Sequence, residues 1–334
     1  MSRNQPTVHP ALSAGLLGLS ALSAAGAYLV YAKPVPEPEL PAQVVKARLQ
    51  VGPLERSYVA VIPDHLPLGA PLVVMAHGTG QNAASLRSTS GYRLDELAVQ
   101  HGFVVVYPDA YKGRWQDCRR VGAPRDPELD DSAFIRALIE QLVGEHGLDA
   151  SKVFAAGFSN GGQLVFMLMT TLNDVLAGAA VIGATYPTPD NRTCAAPKRG
   201  LPLLMVNGTA DPIVPFFGGE ISLFGFQPRG TALSAHDTAS YFASLNGIRT
   251  PPVSEELQHG PHFRVNLRRF EDDPLPPVAQ YIIEGGGHVI AGPNVAFPRL
   301  MGATDRELDS LALIWHFFEQ VGQAPKEASE RQNV

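Results

Sequence analysis

The sequence lacks what a nucleic-acid-binding, metal-binding or nucleotide-binding protein needs. Lysine and arginine total 26 against 32 acidic residues, a formal net charge of −6, and no run of basic residues interrupts that balance. A chain that neutralises phosphates needs the opposite sign, so nucleic acid is excluded as a partner. The histidines and cysteines form no HExxH or CxxC pattern, and the carboxylates do not cluster at ligand spacing, so no metal is implied. Neither GxGxxG nor a Walker A sequence occurs, and no cofactor is implied. Cysteine is scarce: Cys118 and Cys194 are the two present, both in expected loops. In an oxidising compartment they could pair and close a long loop, with two unpaired thiols as the alternative.

Long apolar runs are also missing, with one exception. Ala11–Ala32 holds 22 residues without a charge, and Arg3 is the only formally positive side chain before it. At about 1.5 Å per residue such a helix can span a bilayer. Ala25-Gly26-Ala27 and Val30-Tyr31-Ala32 both suit signal cleavage, so residues 1–32 are expected to be either a secretory signal or an uncleaved anchor. Either way the chain is expected to be exported: secreted, periplasmic, or held on the outer side of a membrane through residues 11–32. Residues 33–43 form a Pro/Glu linker expected to stay extended and solvated, and residues 323–334 a polar tail.

Between them, strands and helices alternate. Val44–Val51 and Arg56–Ile62 read as a hairpin around Gly52-Pro53, followed by buried strands at Leu72–Ala76, Phe103–Tyr107, Val153–Ala156, Ala179–Ile182, Leu201–Val206 and Val278–Ile283. Helical spacing marks Tyr92–His101, Asp131–Glu145, the residues after Ser159, and Ser234–Leu245. A capping box at Thr304–Glu307 is expected to open a last helix through Phe318. With no internal repeat and no linker inside 44–322, the pattern predicts one α/β domain with a mostly parallel central sheet.

Chemistry concentrates at Gly157-Phe158-Ser159-Asn160-Gly161, a strand running through G-x-S-x-G into a helix. A serine in that turn is forced outward over the sheet, and the two glycines remove side chains that would clash as strand and helix fold back. Ser159 is the candidate nucleophile; an ordinary Gly-rich turn is the alternative. A serine needs a base and the base an orienting carboxylate, following in the order Ser, Asp/Glu, His on α/β-hydrolase folds. Asp211 follows strand Leu201–Val206 and His288 follows Val278–Ile283 and three glycines, although Asp211 also suits a plain turn before Pro212. The Asn160 N–H and a donor from the loop after Leu72–Ala76, Thr79 by position, are the candidate oxyanion hole. Neighbouring His77 is expected to shape that loop. Asp130 and Asp131 are expected to organise a helix N-terminus.

These segments together resemble the secreted esterases grouped as polyhydroxybutyrate depolymerases, feruloyl esterases and acetylxylan esterases. The resemblance covers roughly residues 50–320 and rests on His77-Gly78…Gln81-Asn82, Tyr107-Pro108-Asp109, Gly113-Arg114-Trp115, Asp130-Asp131, Gly157–Gly162, Asn207–Asp211 with Val214-Pro215, Gly285–His288, and Ile314-Trp315 with Phe317-Phe318. It implies an α/β-hydrolase three-layer sandwich and a serine carboxylic-ester hydrolase working through an acyl-enzyme, with roles falling on Ser159, Asp211 and His288. The expected substrates are short-chain, hydroxyalkanoate-oligomer, or feruloyl and acetyl polysaccharide esters. Alternatives are a peptidase or acyltransferase with the same triad, or a surface binding protein that kept the fold. Three positions depart from the family: Ile290 stands where a tryptophan is common, Thr79 where cysteine is, and Asn207 where histidine is. No added domain of the kind that grips insoluble polymer is expected, so soluble esters or oligomers are the expected substrates. Trp115, Phe216, Phe217 and Ile290 are the candidate substrate contacts, with core packing as the alternative for each aromatic.

Overall fold

The computed structural model describes residues 28–259 and 261–323. Their central feature is a ten-stranded sheet with the order β1-β2-β4-β3-β5-β6-β7-β12-β11-β10. Strands β1 (Ala42–Val51) and β2 (Leu54–Pro63) pair antiparallel across Gly52-Pro53, where Gly52 takes the positive φ (56°) that a two-residue hairpin loop requires. Next come β4 (Val104–Pro108), β3 (Leu72–Ala76), β5 (Val153–Phe158), β6 (Gly178–Ile182), β7 (Leu203–Gly208) and β12 (Val278–Ile283), all mutually parallel. β11 (Phe263–Phe270) and β10 (Val253–His259) close the far edge antiparallel, while the short β8 (Gly219–Glu220) and β9 (Thr231–Ala232) pair with each other apart from this sheet.

The inner strands are buried on both faces because each feeds two separate cores. Leu72, Val74, Val153 and Ala155 point into one, which is completed by Phe134, Ile135 and Leu138 of the helix Asp131–His146 and by Leu164, Val165 and Leu168 of the helix Asn160–Thr171. Val73, Met75, Phe154 and Ala156 point into the other, filled by Leu94 and Leu97 of the helix Arg93–His101 and by Leu311, Ile314, Trp315 and Phe318 of the helix Ser310–Gln323. The period-two alternation of each strand thus builds a helix–sheet–helix sandwich, the expected α/β-hydrolase architecture.

Several expectations are corrected. Strands β10 and β11 were not expected; they pair as an antiparallel edge whose polar sequence reflects its exposure and which is laced by Arg269–Glu255 and Arg264–Glu256 ion pairs. The last helix begins at Ser310 rather than at Thr304. Asp305 spends its carboxylate on the Glu307 and Leu308 amides in a preceding turn, and Asp309 receives the Ala312 amide instead. A short helix, Ala83–Thr89, was not expected; Asn82 and Ser85 cap its start reciprocally. The linker is extended but not free, since Glu37 pairs with the buried Arg87 at 2.7 Å, and β1 already begins at Ala42. The leader and the tail lie outside the described residues apart from 28–32 and 323. Among the described residues no helix is long and apolar enough to cross a membrane.

Candidate active site

Ser159 occupies the tight turn between β5 and the helix Asn160–Thr171, with φ 56° and ψ −116°. This is backbone that a non-glycine residue rarely adopts, and strain of this kind gathers at functional turns. The turn closes because Gly157 and Gly161 carry no side chains. A Cβ on Gly157 would lie 2.3 Å from the Gly161 carbonyl, and one on Gly161 would lie 2.1 Å from the Ala76 oxygen. The Ser159 amide donates to the Ile182 oxygen at 2.9 Å, tying the turn to the end of β6.

Two loops at the same, carboxyl end of the sheet reach the serine, as the fold's switch-point geometry favours. After β7, the chain turns so that one Asp211 oxygen accepts the Ile213 and Val214 amides, both at 2.8 Å. Its other oxygen, Oδ2, is 2.6 Å from His288 Nδ1. His288 Nε2 is 2.8 Å from Ser159 Oγ. With Nδ1–H donating to the carboxylate, Nε2 is left as an acceptor for the serine hydroxyl. The histidine is 1% exposed, with the Phe158 ring 5.0 Å from its own, and its loop is fastened by Gly287 and His288 amides to the Ala303 and Met301 oxygens. The structure therefore brings Ser159, His288 and Asp211 into one hydrogen-bonded chain. Two other downstream histidines lie on helices and take no part: His236 faces Phe216 and Gln280, and His316 sits beside Glu319 on the last helix.

Beside this chain lie two backbone donors with no protein acceptor among the described residues, the Asn160 and Thr79 amides. The Thr79 loop is built around His77. The Ala110 amide donates to His77 Nε2 at 3.0 Å, which leaves Nδ1–H to donate to the Gly78 oxygen at 2.7 Å. Burial lowers the His77 pKa, aided by Arg56 against the opposing pull of the Gly78 bond and Asp109, so the ring is held in the neutral form those two bonds need. Asn160 is fixed through its side chain, which accepts from the Trp115 amide at 2.9 Å and donates to Asp117 at 3.0 Å. The expected helix start is also met: Asp130 caps through the Ala133 amide, while buried Asp131 pairs with Arg56 at 2.7 Å.

The substrate contacts expected from sequence are corrected. Trp115 is 0% exposed, and its Nε1 donates to the His77 oxygen at 2.9 Å, so it anchors the Thr79 loop from below and does not face a substrate. Ile290 is 0% exposed within the core against the last helix, and Phe216 packs on Ala235 and Ile282. Phe217 alone of the four is exposed, at 78%. Two residues that sequence reading passed over matter more. Asp117 holds Asn160 and the buried Arg119, and Arg229 donates to Thr79 Oγ1 at 2.8 Å. Neither carries a sequence signal, because burial of a charged side chain is decided by distant segments. A groove of about 910 Å³ is lined by Pro202, Pro277, Leu313 and Phe317 among others. It opens at the amino ends of β7 and β12 and contains none of these residues.

Cys118 and Cys194 form a disulfide, tying the loop that carries Asp117 to residues 189–194. It closes a loop of sequence separation 76, so removing it is expected to cost about 2–4 kcal/mol. Because Asp117 positions Asn160, Cys118→Ser with Cys194→Ser should also slow turnover. Thermal melts and ester hydrolysis with and without reductant check both effects; an unchanged melt would contradict the first.

Comparison with known proteins agrees with the resemblance drawn from the motifs. Residues 57–186 match the family model "Esterase PHB depolymerase". The protein called "Putative esterase NocK" from Nocardia uniformis subsp. tsuyamanensis is 27% identical over 325 residues, covering 87% of this chain and 92% of that one. Poly(3-hydroxyalkanoate) depolymerase C of Paucimonas lemoignei is 30% identical over 68% of this chain, and feruloyl esterase B of Piromyces equi is 29% identical over 66%. The chain spans 56% and 39% of those two proteins' lengths. Among solved structures, an acetyl xylan esterase from Aspergillus awamori superposes with a TM-score of 0.50 at 17% identity, covering 74% of this chain and 94% of that one, a likeness of fold. The match to that family model is confined to residues 57–186, the fold is that of the α/β-hydrolases, and the expectation of an esterase stands.

Proposed function

We propose that the chain is a serine carboxylic-ester hydrolase acting through an acyl-enzyme, on short-chain, hydroxyalkanoate-oligomer, or feruloyl and acetyl polysaccharide esters. The supporting observation is the hydrogen-bonded chain Ser159 Oγ–His288 Nε2 at 2.8 Å and His288 Nδ1–Asp211 Oδ2 at 2.6 Å, set on a turn at φ 56°. Ser159 Oγ attacks the ester carbonyl as His288 Nε2 takes its proton, and Asp211 stabilises the imidazolium. The tetrahedral oxyanion is held by the Asn160 and Thr79 amides. Collapse breaks the bond to the alcohol, which leaves with the proton from His288. A water molecule then gives its proton to His288 and attacks the acyl-enzyme; the acid departs and Ser159 regains its hydroxyl. The names of the relatives, a polyhydroxyalkanoate depolymerase and a feruloyl esterase among them, support this choice of esters. The disulfide, together with the charge-free run 11–32, supports export into an oxidising compartment, free or anchored.

The test is covalent. An alkyl fluorophosphonate should add to Ser159, detected as one modified peptide, and block hydrolysis of acetyl, butyryl, 3-hydroxybutyryl-oligomer and feruloyl esters alike. A folded protein that hydrolyses esters yet leaves Ser159 unmodified would overturn the mechanism.

A further inference from the structure

Arg229 sits in the segment 213–233 that joins β7 to the helix Ala235–Leu245. It is 8% exposed, and no carboxylate among the described residues lies within ion-pair distance of its guanidinium. Among the described residues its side chain makes one hydrogen bond, from Nη1 to Thr79 Oγ1 at 2.8 Å. Its other nitrogens are not among the sealed, unpartnered polar atoms of the described residues, so the guanidinium keeps a solvent-accessible edge beside Thr79. The placement is enforced by backbone. The Arg229 amide donates to the Ile221 oxygen at 2.8 Å, and Gly122 packs so closely that a Cβ there would lie 3.1 Å from the arginine's own Cβ and Cγ.

Its surroundings add positive charge rather than cancel it. Burial, then Arg119, then Arg114 lower the Arg229 pKa, and Asp117 alone opposes them. Asp117 is already spent on Arg119, at 2.5 Å, and on the Asn160 side chain. Arg114 donates to the Gly122 carbonyl. Arg119 and Arg114 thus add positive charge near Arg229, and the one carboxylate that opposes it is held by Arg119 and Asn160. A guanidinium stays charged even when dehydrated, and an unmatched buried charge costs stability unless a partner arrives. The fork of N–H donors suits a carboxylate.

We infer that Arg229 receives a free carboxylate of the substrate, so that the enzyme selects esters bearing an anionic end close to the scissile carbonyl. This deepens the ester-hydrolase reading and rests on it for the location of the cleft. The carboxylate docks on the outward N–H groups while Thr79 keeps the inward one. Binding energy from this remote contact fixes the carbonyl over Ser159.

The test compares ethyl butyrate with monoethyl succinate, glutarate and adipate, which share its leaving group and differ by a carboxylate at increasing distance. The wild-type protein should favour at least one monoester over ethyl butyrate in kcat/KM by about tenfold to a hundredfold, the worth of a charge-assisted bond. Arg229→Gln should bring that ratio close to one, mainly through KM, and Arg229→Lys should restore part of it, which a purely structural bolt would not do. A wild-type ratio at or below one for all three monoesters overturns the inference, as does a ratio that Arg229→Gln leaves intact. A calorimetric titration of Ser159→Ala protein with sodium glutarate judges Arg229 without turnover: binding should be measurable, and lost when Arg229→Gln is added. Hydrolysis persisting in Ser159→Ala would sink the mechanism, while the glutarate titration would still decide the role of Arg229.

Discussion

Replacing Ser159 with alanine is expected to lower turnover of p-nitrophenyl butyrate by about a million-fold while the protein stays folded. The size follows from the proposed division of labour. Without Oγ there is no atom for His288 to activate and no acyl-enzyme to form, and the oxyanion donors can assist only the slow attack of water. The fold should tolerate the change, because the turn is held by backbone: the Ser159 amide on Ile182 and the Gln163 amide on the Ser159 oxygen. Alanine keeps the strain of φ 56°, whereas glycine adopts that region freely. Ser159→Gly should therefore be as inactive as Ser159→Ala yet melt higher, recovering part of a strain of about 1–3 kcal/mol. Steady-state kinetics and thermal melts on the pair read both quantities. Retained turnover in the alanine variant would remove Ser159 from the mechanism; equal melting of the two would remove the strain argument.

What could be read ahead of the structure was whatever a local pattern determines. β3, β4 and β5 announce themselves because strands buried on both faces must be continuously apolar, and Val104–Pro108 and Val153–Phe158 are. The Ser159 turn was legible since its geometry forbids side chains at Gly157 and Gly161, and that requirement is written in the residues. Asp211 and His288 followed from their places at strand ends. The hairpin β10–β11 was hidden because an edge strand wet on one side can be as polar as a loop. Trp115 and Ile290 were misplaced for a related reason. Both lie near site residues in sequence, but which face of the loop they take depends on His77 and on the last helix, far away in the chain. Asp109 shows the same limit. Its motif was visible, but its work, capping Ala83 and receiving Ser57, joins three separate segments.

Gly161→Ala should be the most damaging of the small substitutions, because the group it would strike cannot move alone. The added Cβ would lie 2.1 Å from the Ala76 oxygen and 2.8 Å from the His77 oxygen, both main-chain atoms at the end of β3. Relief requires the helix Asn160–Thr171 to lift off the sheet or the end of β3 to shift. Overpacking of this kind costs about 1–3 kcal/mol even where side chains can yield. Either movement also separates the Asn160 amide from the Thr79 amide, since one donor rides on the helix and the other follows β3. A misplacement of about 1 Å at such donors is worth about a hundredfold in rate. The expected result is a lower melting point together with a kcat/KM loss larger than the unfolded fraction explains. Gly144→Ala is the matched control: it lies inside the helix Asp131–His146 with nothing within 4 Å of the added carbon, and it should stabilise by about 0.5–1 kcal/mol without touching turnover. If Gly161→Ala behaved like Gly144→Ala, the close crossing of β3 and the helix would not be what holds the two donors together.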